Sequence, residues 1–125
     1  MKEKLIARLL DLGYKYDSTK DESLLTFTTD AVENKIKNRI NNTTIPTELS
    51  EVVIDMICGE FLKLKKATGQ LTEYEFQQIV QSIKEGDTSV TFQSGASPEQ
   101  QFDSLVNSMI SGHEADIIRY RKLVW

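Results

Sequence analysis

The stretch from Leu49 to Leu64 repeats apolar residues every three or four positions, which is the period of an α-helix and not of a strand. It is the most apolar helical segment of the chain, so we expect it to be the centre of the core. Pro46 is predicted to begin this helix, because the N–H group at the first helical position has no intrahelical partner to lose. Gly69 is predicted to end it. The apolar stripe consists of Leu49, Val52, Val53, Met56, Ile57, Phe61 and Leu64.

Two helices are predicted before this central one. The first spans about Lys2 to Leu12 and ends at Gly13, and the second spans about Glu22 to Ile40. Ser18 and Asp21 compete as the cap of the second helix, and the Asn-rich turn at 41–44 ends it. The predicted core-facing residues are Leu5, Ile6, Leu9 and Leu10 in the first helix, and Leu24, Leu25, Thr28, Ala31, Val32, Ile36 and Ile40 in the second, whose solvated side holds Glu33, Lys35, Lys37 and Arg39.

Two further helices are predicted after it. Thr72 and Glu75 form a capping box, and the helix that follows ends somewhere between Gln78 and Lys84, since IVQSI also alternates acceptably as a strand. Leu71 and Phe76 supply the hydrophobic staple of this helix. Ser97 and Gln100 form a second capping box, with Pro98 at the first helical position. Gly112 is predicted to break or kink this last helix before residues 113–125. The core-facing residues of these helices are Phe76, Ile79, Val80 and Ile83, and Phe102, Leu105, Val106, Met109 and Ile110.

Residues 82–92, SIKEGDTSVTF, interrupt the helical pattern with a Gly-Asp turn and a short β-favouring run. The 125 residues provide room for one domain. The predicted fold is therefore an all-α single domain over residues 1–125. It is a small bundle of about four to five helices with a short extended or β-hairpin segment near residues 82–92.

Charge and composition argue against several functional classes. The formal net charge is −4, whereas a free-standing nucleic-acid binder usually presents a basic face to phosphate. No stretch reaches the length of an apolar membrane span, and the N-terminal residues lack the apolar core of a signal peptide. Cys58 is the only cysteine and cannot form an internal disulfide. A soluble protein with no membrane partner is expected.

The residues with reactive or metal-binding side chains are more simply explained as structural. His113 has no second histidine or cysteine near it in sequence for a zinc site, and no identifiable partner for a general base, so a structural or exposed histidine is expected. Residues 87–89 lack the ligand spacing of a Ca²⁺ loop. Asp55 and Glu60 lie about 140° apart around their helix, each at the edge of the stripe. Cys58 is expected to be a core thiol.

The basic residues at the end of the central helix, Lys63, Lys65 and Lys66, are most simply a solvated helix C-terminus. The C-terminal residues 119–125, RYRKLVW, combine three cations with two aromatic rings. Tyrosine, tryptophan and arginine dominate interface hot spots, so this end is a candidate docking segment. The alternative is that Leu123 and Trp125 fold back onto the core while the cations reach solvent. No catalytic residue, metal site or cofactor is predicted.

The order of these features resembles the head–tail connector, or adaptor, proteins of tailed bacteriophages. The likeness spans most of the chain from about Asp21 onward, and it rests on the combination of its parts. They are a second helix rich in Asp, Ala and Val, an Asn-rich turn, the I-P-x-x-L start of the central helix (Ile45, Pro46, Leu49), GDTSVTF at 86–92, and a YRKL end at 120–123.

The resemblance implies a non-enzymatic virion protein of the head–tail interface, present in the host cytoplasm during assembly. Such connectors form a ring, commonly of twelve copies, between the portal and a stopper or tail-completion protein. Double-stranded DNA passes through the ring without sequence-specific binding, and an acidic wall would let it slide. The docking segment at 113–125 is implied to contact the portal through Arg119, Tyr120, Arg121, Lys122, Leu123 and Trp125. A second implied site is an inter-subunit or channel loop that consists of Glu85, Gly86, Asp87, Thr88, Val90 and Phe92.

Two other classes stay open at this point. A small helical regulatory DNA-binding protein would show salt-dependent duplex binding at sub-micromolar concentration. A generic helical adaptor from a non-viral complex would lack a portal or capsid gene as its genetic neighbour.

Overall fold

A computed structural model describes residues 2–72, 75, 77–81 and 97–121. Within this part of the chain there are five α-helices, one 3₁₀ turn and no strand, and residues 75 and 77–81 are helical as well. The all-α prediction is therefore confirmed, whereas the predicted extended segment near 82–92 lies outside the described residues. The elements are α1 (Lys2–Asp11), α2 (Glu22–Ile40), the 3₁₀ turn (Thr47–Leu49), α3 (Ser50–Ala67), α4 (Pro98–Ser111) and α5 (Glu114–Arg119).

The central position predicted for the third helix is confirmed, because α1, α2 and α4 all pack against α3. Its start differs from the prediction. Pro46 has an extended ψ of 145°, so it precedes the 3₁₀ turn as a cap and is not the first residue of the α-helix. The α-helix itself begins at Ser50. Buried residues along α3 are Val52, Val53, Met56, Ile57, Cys58, Gly59, Phe61, Leu62 and Lys65, whereas Leu64 is half-buried.

The predicted bounds of α2 are confirmed, and Asn41 ends the helix in the left-handed conformation at φ 56°. The predicted face of α1 is wrong in part. Leu5 and Leu9 are buried, but Leu10 is 64% exposed. Ala31, expected in the α2 stripe, is exposed too. Both helices rest on α3 through a narrow stripe, so residues one position to the side of that stripe reach solvent.

Both capping boxes are present. The Thr72 hydroxyl accepts the N–H of Glu75 at 3.2 Å while the Glu75 carboxylate accepts the N–H of Thr72 at 3.3 Å. Ser97 and Gln100 make the same reciprocal pair at the start of α4. The predicted break at Gly112 is confirmed as a two-residue turn between α4 and α5. The side chains of Phe76 and Ile83 lie outside the described residues, and Ile79 and Val80 are buried as predicted.

Helices α2 and α4 lie on opposite flanks of α3 and run antiparallel to it. At one end of α3, Lys65 contacts Asp21 before α2, and Lys66 contacts Asp103 near the start of α4. Further along α3, Gly59 abuts the second half of α4, and Ser50 lines a groove with the last turns of α2. Ser50 and Gly59 are nine residues apart, which is about 180° around a helix. The outer sides of α2 and α4 therefore face away from each other.

In the described part of the chain, none of the helices combines the length and apolarity needed to cross a bilayer.

Candidate functional site

The described part of the predicted docking segment forms an exposed basic and apolar surface at the end of α5. Arg119 and Arg121 are exposed, and Ile118 is 58% exposed. We call Ile118, Arg119 and Arg121 the C-terminal surface. Tyr120 differs from its neighbours, since its half-buried ring packs against the core. Of the other predicted docking residues, Lys122, Leu123 and Trp125 lie outside the described residues, as do the loop residues Glu85, Gly86, Asp87, Thr88, Val90 and Phe92.

Three contacts fix α5 to the bundle. Ile117 is buried, and Glu114 forms an ion pair with Arg39 of α2. His113, just before α5, places Nε2 at 3.4 Å from Oδ2 of Asp55 on α3. Two of these contacts lie at the start of the short helix and Ile117 lies in its last turn, so the C-terminal surface is carried on a fixed support.

The Asp55 carboxylate is shared by two partners. Its Oδ1 atom accepts a hydrogen bond of 3.0 Å from Nε of Arg8 on α1, while Oδ2 faces His113. The prediction that Asp55 and Glu60 lie at the edge of the α3 stripe is confirmed, because both are half-buried. His113 is half-buried as well, and its other ring nitrogen lies 3.9 Å from Asp116. The histidine has a carboxylate partner that the sequence did not reveal, and it joins α5 to α3.

A buried ion pair at the other end of α3 corrects the expectation for the lysine cluster. Lys65 was predicted to be solvated, yet it is only 5% exposed, and its Nζ lies 2.8 Å from Oδ1 of Asp21, which is 1% exposed. Lys65 follows Phe61 by four residues and Ile57 by eight, so it falls on the buried stripe of α3. A lysine on that stripe needs a carboxylate partner, and this was the signal available in the sequence.

The Asp21 carboxylate also has partners in the segment between α1 and α2. Its Oδ2 atom accepts hydrogen bonds from the Tyr14 hydroxyl at 2.7 Å and from the backbone N–H of Asp17 at 3.0 Å. Asp21 was predicted as a candidate cap of α2, and it occupies that position, but its side chain makes no capping hydrogen bond. The carboxylate holds the α1–α2 connection onto α3 instead.

The surroundings of Asp21 favour its charged form. Burial raises its pKa, but hydrogen bonds from Lys65, from the Asp17 backbone and from Tyr14 outweigh burial and keep the pKa below its ordinary value. Burial and the hydrogen bond to Asp21 raise the pKa of the Tyr14 hydroxyl. The Tyr14 ring packs edge-on against Phe61 with centroids 5.5 Å apart. Because both charges are at least 95% buried, the network stabilises the fold and is not open to a substrate.

The lysine cluster does not present three free cations to solvent. Lys65 is buried, and Nζ of Lys66 lies 2.5 Å from Asp103 and 3.1 Å from Glu99 of α4. Lys63 is the exposed member of the three. Neutralising phosphates along a duplex needs several accessible cations, so this cluster is poorly suited to holding DNA.

Cys58 is a core thiol, as predicted. It is fully buried, and burial followed by the charge of Asp55 raises its pKa to about 12. The thiolate is the reactive form. In native protein at pH 8 we expect Ellman's reagent to modify Cys58 about a thousandfold more slowly than in protein unfolded by guanidinium. Rapid modification of the native thiol would contradict this, and the unfolded sample serves as the control for reagent quality.

Among residues 2–72, 75, 77–81 and 97–121, no group of three or more His, Cys, Asp or Glu side chains is arranged to hold a metal ion. Comparison of the chain with family models, with curated proteins and with solved structures gives no match.

Proposed function

We propose that this protein is a head–tail connector of a tailed bacteriophage. In this role it forms a ring beneath the portal, commonly of twelve copies, and joins the filled capsid to a stopper or tail-completion protein. It acts in the virion after assembly in the host cytoplasm, and it catalyses no reaction. The observation that carries the proposal is the exposed C-terminal surface on a helix held to the bundle at its start by Arg39 and Asp55 and in its last turn by the buried Ile117, at the position where the resemblance to connectors expects portal docking.

The C-terminal surface has the chemistry of a docking site for an acidic and apolar groove. Ile118 offers an exposed apolar side chain, and the exposed Arg119 and Arg121 follow it in the sequence. Arginine is enriched at interface hot spots, and complementary charge speeds and orients association. Because Arg39 and Asp55 already hold α5 in place, docking orders little additional backbone.

The charge distribution supports passage of DNA without retention. The net charge is −4. Of the three lysines near the end of α3, Lys65 and Lys66 form ion pairs with carboxylates of the same chain. Binding of a duplex depends on cations that replace its counterions, so a chain with a net negative charge is expected to retain DNA only weakly. The loop residues Glu85 and Asp87 are proposed to add negative charge near the channel.

The docking role predicts that reversing the charge of the C-terminal surface abolishes portal binding and leaves the fold intact. The variant is Arg119→Glu with Arg121→Glu, and co-sedimentation with portal is expected to fall at least tenfold. Both side chains are exposed, so the unfolding temperature should change by only a few degrees.

A matched control is Lys4→Glu with Lys20→Glu, which changes the net charge equally at exposed sites elsewhere. Equal loss of portal binding in this control, or normal binding by the arginine variant, would contradict the proposal. Removal of residues 121–125 tests the remainder of the segment while keeping Tyr120, whose ring packs on the core.

A further inference from the structure

The middle of the side of α2 that faces away from α3 is exposed and carries no charged side chain. The charged residues of α2 lie on its flanks, which refines the expectation that they cover its solvated side. Viewed along the helix axis, the strip without charge extends about 40° to either side of the direction that points away from α3. An aromatic ring at its centre, Phe27, is 65% exposed. The exposed carboxylate of Asp30, three residues after Phe27, borders the strip on one side, and an exposed aromatic within an uncharged strip is typical of the centre of a protein interface. We call this outer face of α2 the Phe27 face; it consists of Ser23, Phe27, Ala31, Asn34 and Asn38.

The side of α4 that faces away from α3 is exposed and without charge as well. Glu99 and Asp103 are the only charged residues of α4, and both pair with Lys66 of α3. The side chains left on the outer side are mostly short. We call this outer face of α4 the serine face; it consists of Gln100, Ser104, Asn107, Ser108 and Ser111.

The two faces cannot meet within one copy, because α2 and α4 lie on opposite flanks of α3. They can meet between copies, since the Phe27 face of one copy can contact the serine face of the next. Such a head-to-tail contact leaves one face free on each outer copy, so addition continues until a ring closes. Both helices run antiparallel to α3 and hence parallel to each other. A ring of many copies rotates each neighbour only slightly, so this parallel arrangement is kept across the contact.

The two faces also lie at matching positions along the axis of α3. Asp21 and Asp103 are bound to the adjacent residues Lys65 and Lys66, so they lie at nearly the same level along α3. Phe27 is six residues beyond Asp21, and Ser108 is five beyond Asp103. At 1.5 Å per residue these positions lie about 9 Å and about 7.5 Å further along their helices. The largest exposed side chain of one face is thus level with the small side chains of the other.

We propose that the Phe27 face and the serine face are the two halves of a head-to-tail contact between copies of this chain. Phe27 of one copy packs among Ser104 and Ser108 of the next. A second copy is the matched occupant, because a charged partner on either face would lose hydration without gaining an ion pair. The inference rests on the proposed function and names the surfaces by which the ring closes.

The size of the contact implies weak pairing in free solution. The serine face is about 17 Å long and about 10 Å wide, which gives on the order of 200 Å² per copy. Stable pairs bury about 800 Å² per partner. Closing a ring gives each copy two such contacts, and a portal that holds several copies together raises their effective concentration.

Disulfide trapping tests the contact with free protein. The variant Phe27→Cys with Ser108→Cys, oxidised mildly at high concentration, is expected to form a ladder of dimers, trimers and longer chains. Either single variant can form at most a dimer, and the buried Cys58 contributes nothing. The control pair, Phe27→Cys with Ala7→Cys, places the second thiol at an exposed site on α1. A ladder of equal strength from the control, or no species beyond a dimer from the test pair, would overturn the inference.

A substitution that introduces charge separates this inference from the proposed function. Phe27→Asp should reduce ring formation on the portal at least tenfold. Leu10→Asp, at a side chain of nearly equal exposure (64% against 65%), should not. If Phe27→Asp forms rings as well as the unaltered chain, the inference fails while the connector role stands. If the unaltered chain forms no ring on the portal, the connector role fails. The disulfide-trapping experiment with free protein then tests the inference by itself.

Discussion

Replacing Asp21 by alanine is expected to destabilise the fold by about 3–5 kcal/mol, which is the usual cost of removing one partner of a buried ion pair. The substitution leaves the Lys65 ammonium buried without its carboxylate, and it also removes the acceptor for Tyr14 and for the Asp17 backbone. Urea unfolding followed by circular dichroism measures the change. Because the free energy of unfolding of a domain of this size is only about 5–15 kcal/mol, this one side chain accounts for a large part of the stability.

Two variants control the Asp21 experiment. Asp11→Ala removes an exposed carboxylate at the end of α1 and should change the stability by no more than about 0.5 kcal/mol. Adding Lys65→Met to Asp21→Ala removes the uncompensated charge and should recover part of the loss. A double variant that is less stable than Asp21→Ala alone would argue against an unpaired Lys65 as the cause.

The effect of Asp21 should depend on pH in a defined direction. Its pKa is lower in the folded protein than in the unfolded chain, so the charged form stabilises the fold. This contribution is complete above the unfolded pKa of about 3.9 and is lost as the pH falls through the folded value below it. The difference in stability between the unaltered chain and Asp21→Ala should be constant from pH 5 to 8 and should shrink below about pH 4. A difference that grows on acidification would contradict the assignment.

Replacing Gly59 by leucine is expected to destabilise the fold by about 3 kcal/mol, near the upper end of overpacking effects. A Cβ atom at this position would lie 3.1 Å from Met109 Cβ and from Ile110 Cγ1, and 3.3 Å from the Val106 carbonyl oxygen. The first carbon alone requires small shifts, and a glycine in a helix costs about 1 kcal/mol relative to alanine. Gly59→Ala should therefore be nearly neutral, while the longer side chain of leucine must push α4 away from α3.

Thermal unfolding distinguishes the two substitutions at Gly59. Ala67→Leu is the matched control, because it adds the larger side chain at an exposed position of the same helix. The control should unfold within about 2 °C of the unaltered chain. If Gly59→Leu also unfolds there, the close approach of α4 to α3 does not limit the size of the residue at this position.

Local chemistry made much of the fold predictable. The bounds of α2, the two capping boxes and the helix end at Asn41 depend on residues that are close in sequence, so the pattern alone reveals them. Gly69 is a further example, since its φ of +72° suits a residue without a side chain.

The features that the sequence did not reveal depend on contacts between distant residues. Lys65 is buried because Asp21 lies 44 positions earlier in the chain and meets it in space. Leu10 is exposed because α1 contacts α3 through a stripe narrower than its apolar residues suggest. In the candidate site, Arg119 and Arg121 were predicted to be available to a partner, and both are exposed. Tyr120 packs against the core because of the position of α5 on the bundle, which the sequence does not show. The docking role itself is still a proposal.

The shared carboxylate of Asp55 has a mechanical consequence. Arg8 near the beginning of the chain and His113 near its end both contact this one side chain of the central helix. A pull applied to α5 is therefore resisted by α3 directly, and through the same carboxylate it reaches α1. Tension at the tail of the chain is thus distributed over its first, middle and last helices, and under load the described bundle is expected to yield as one body.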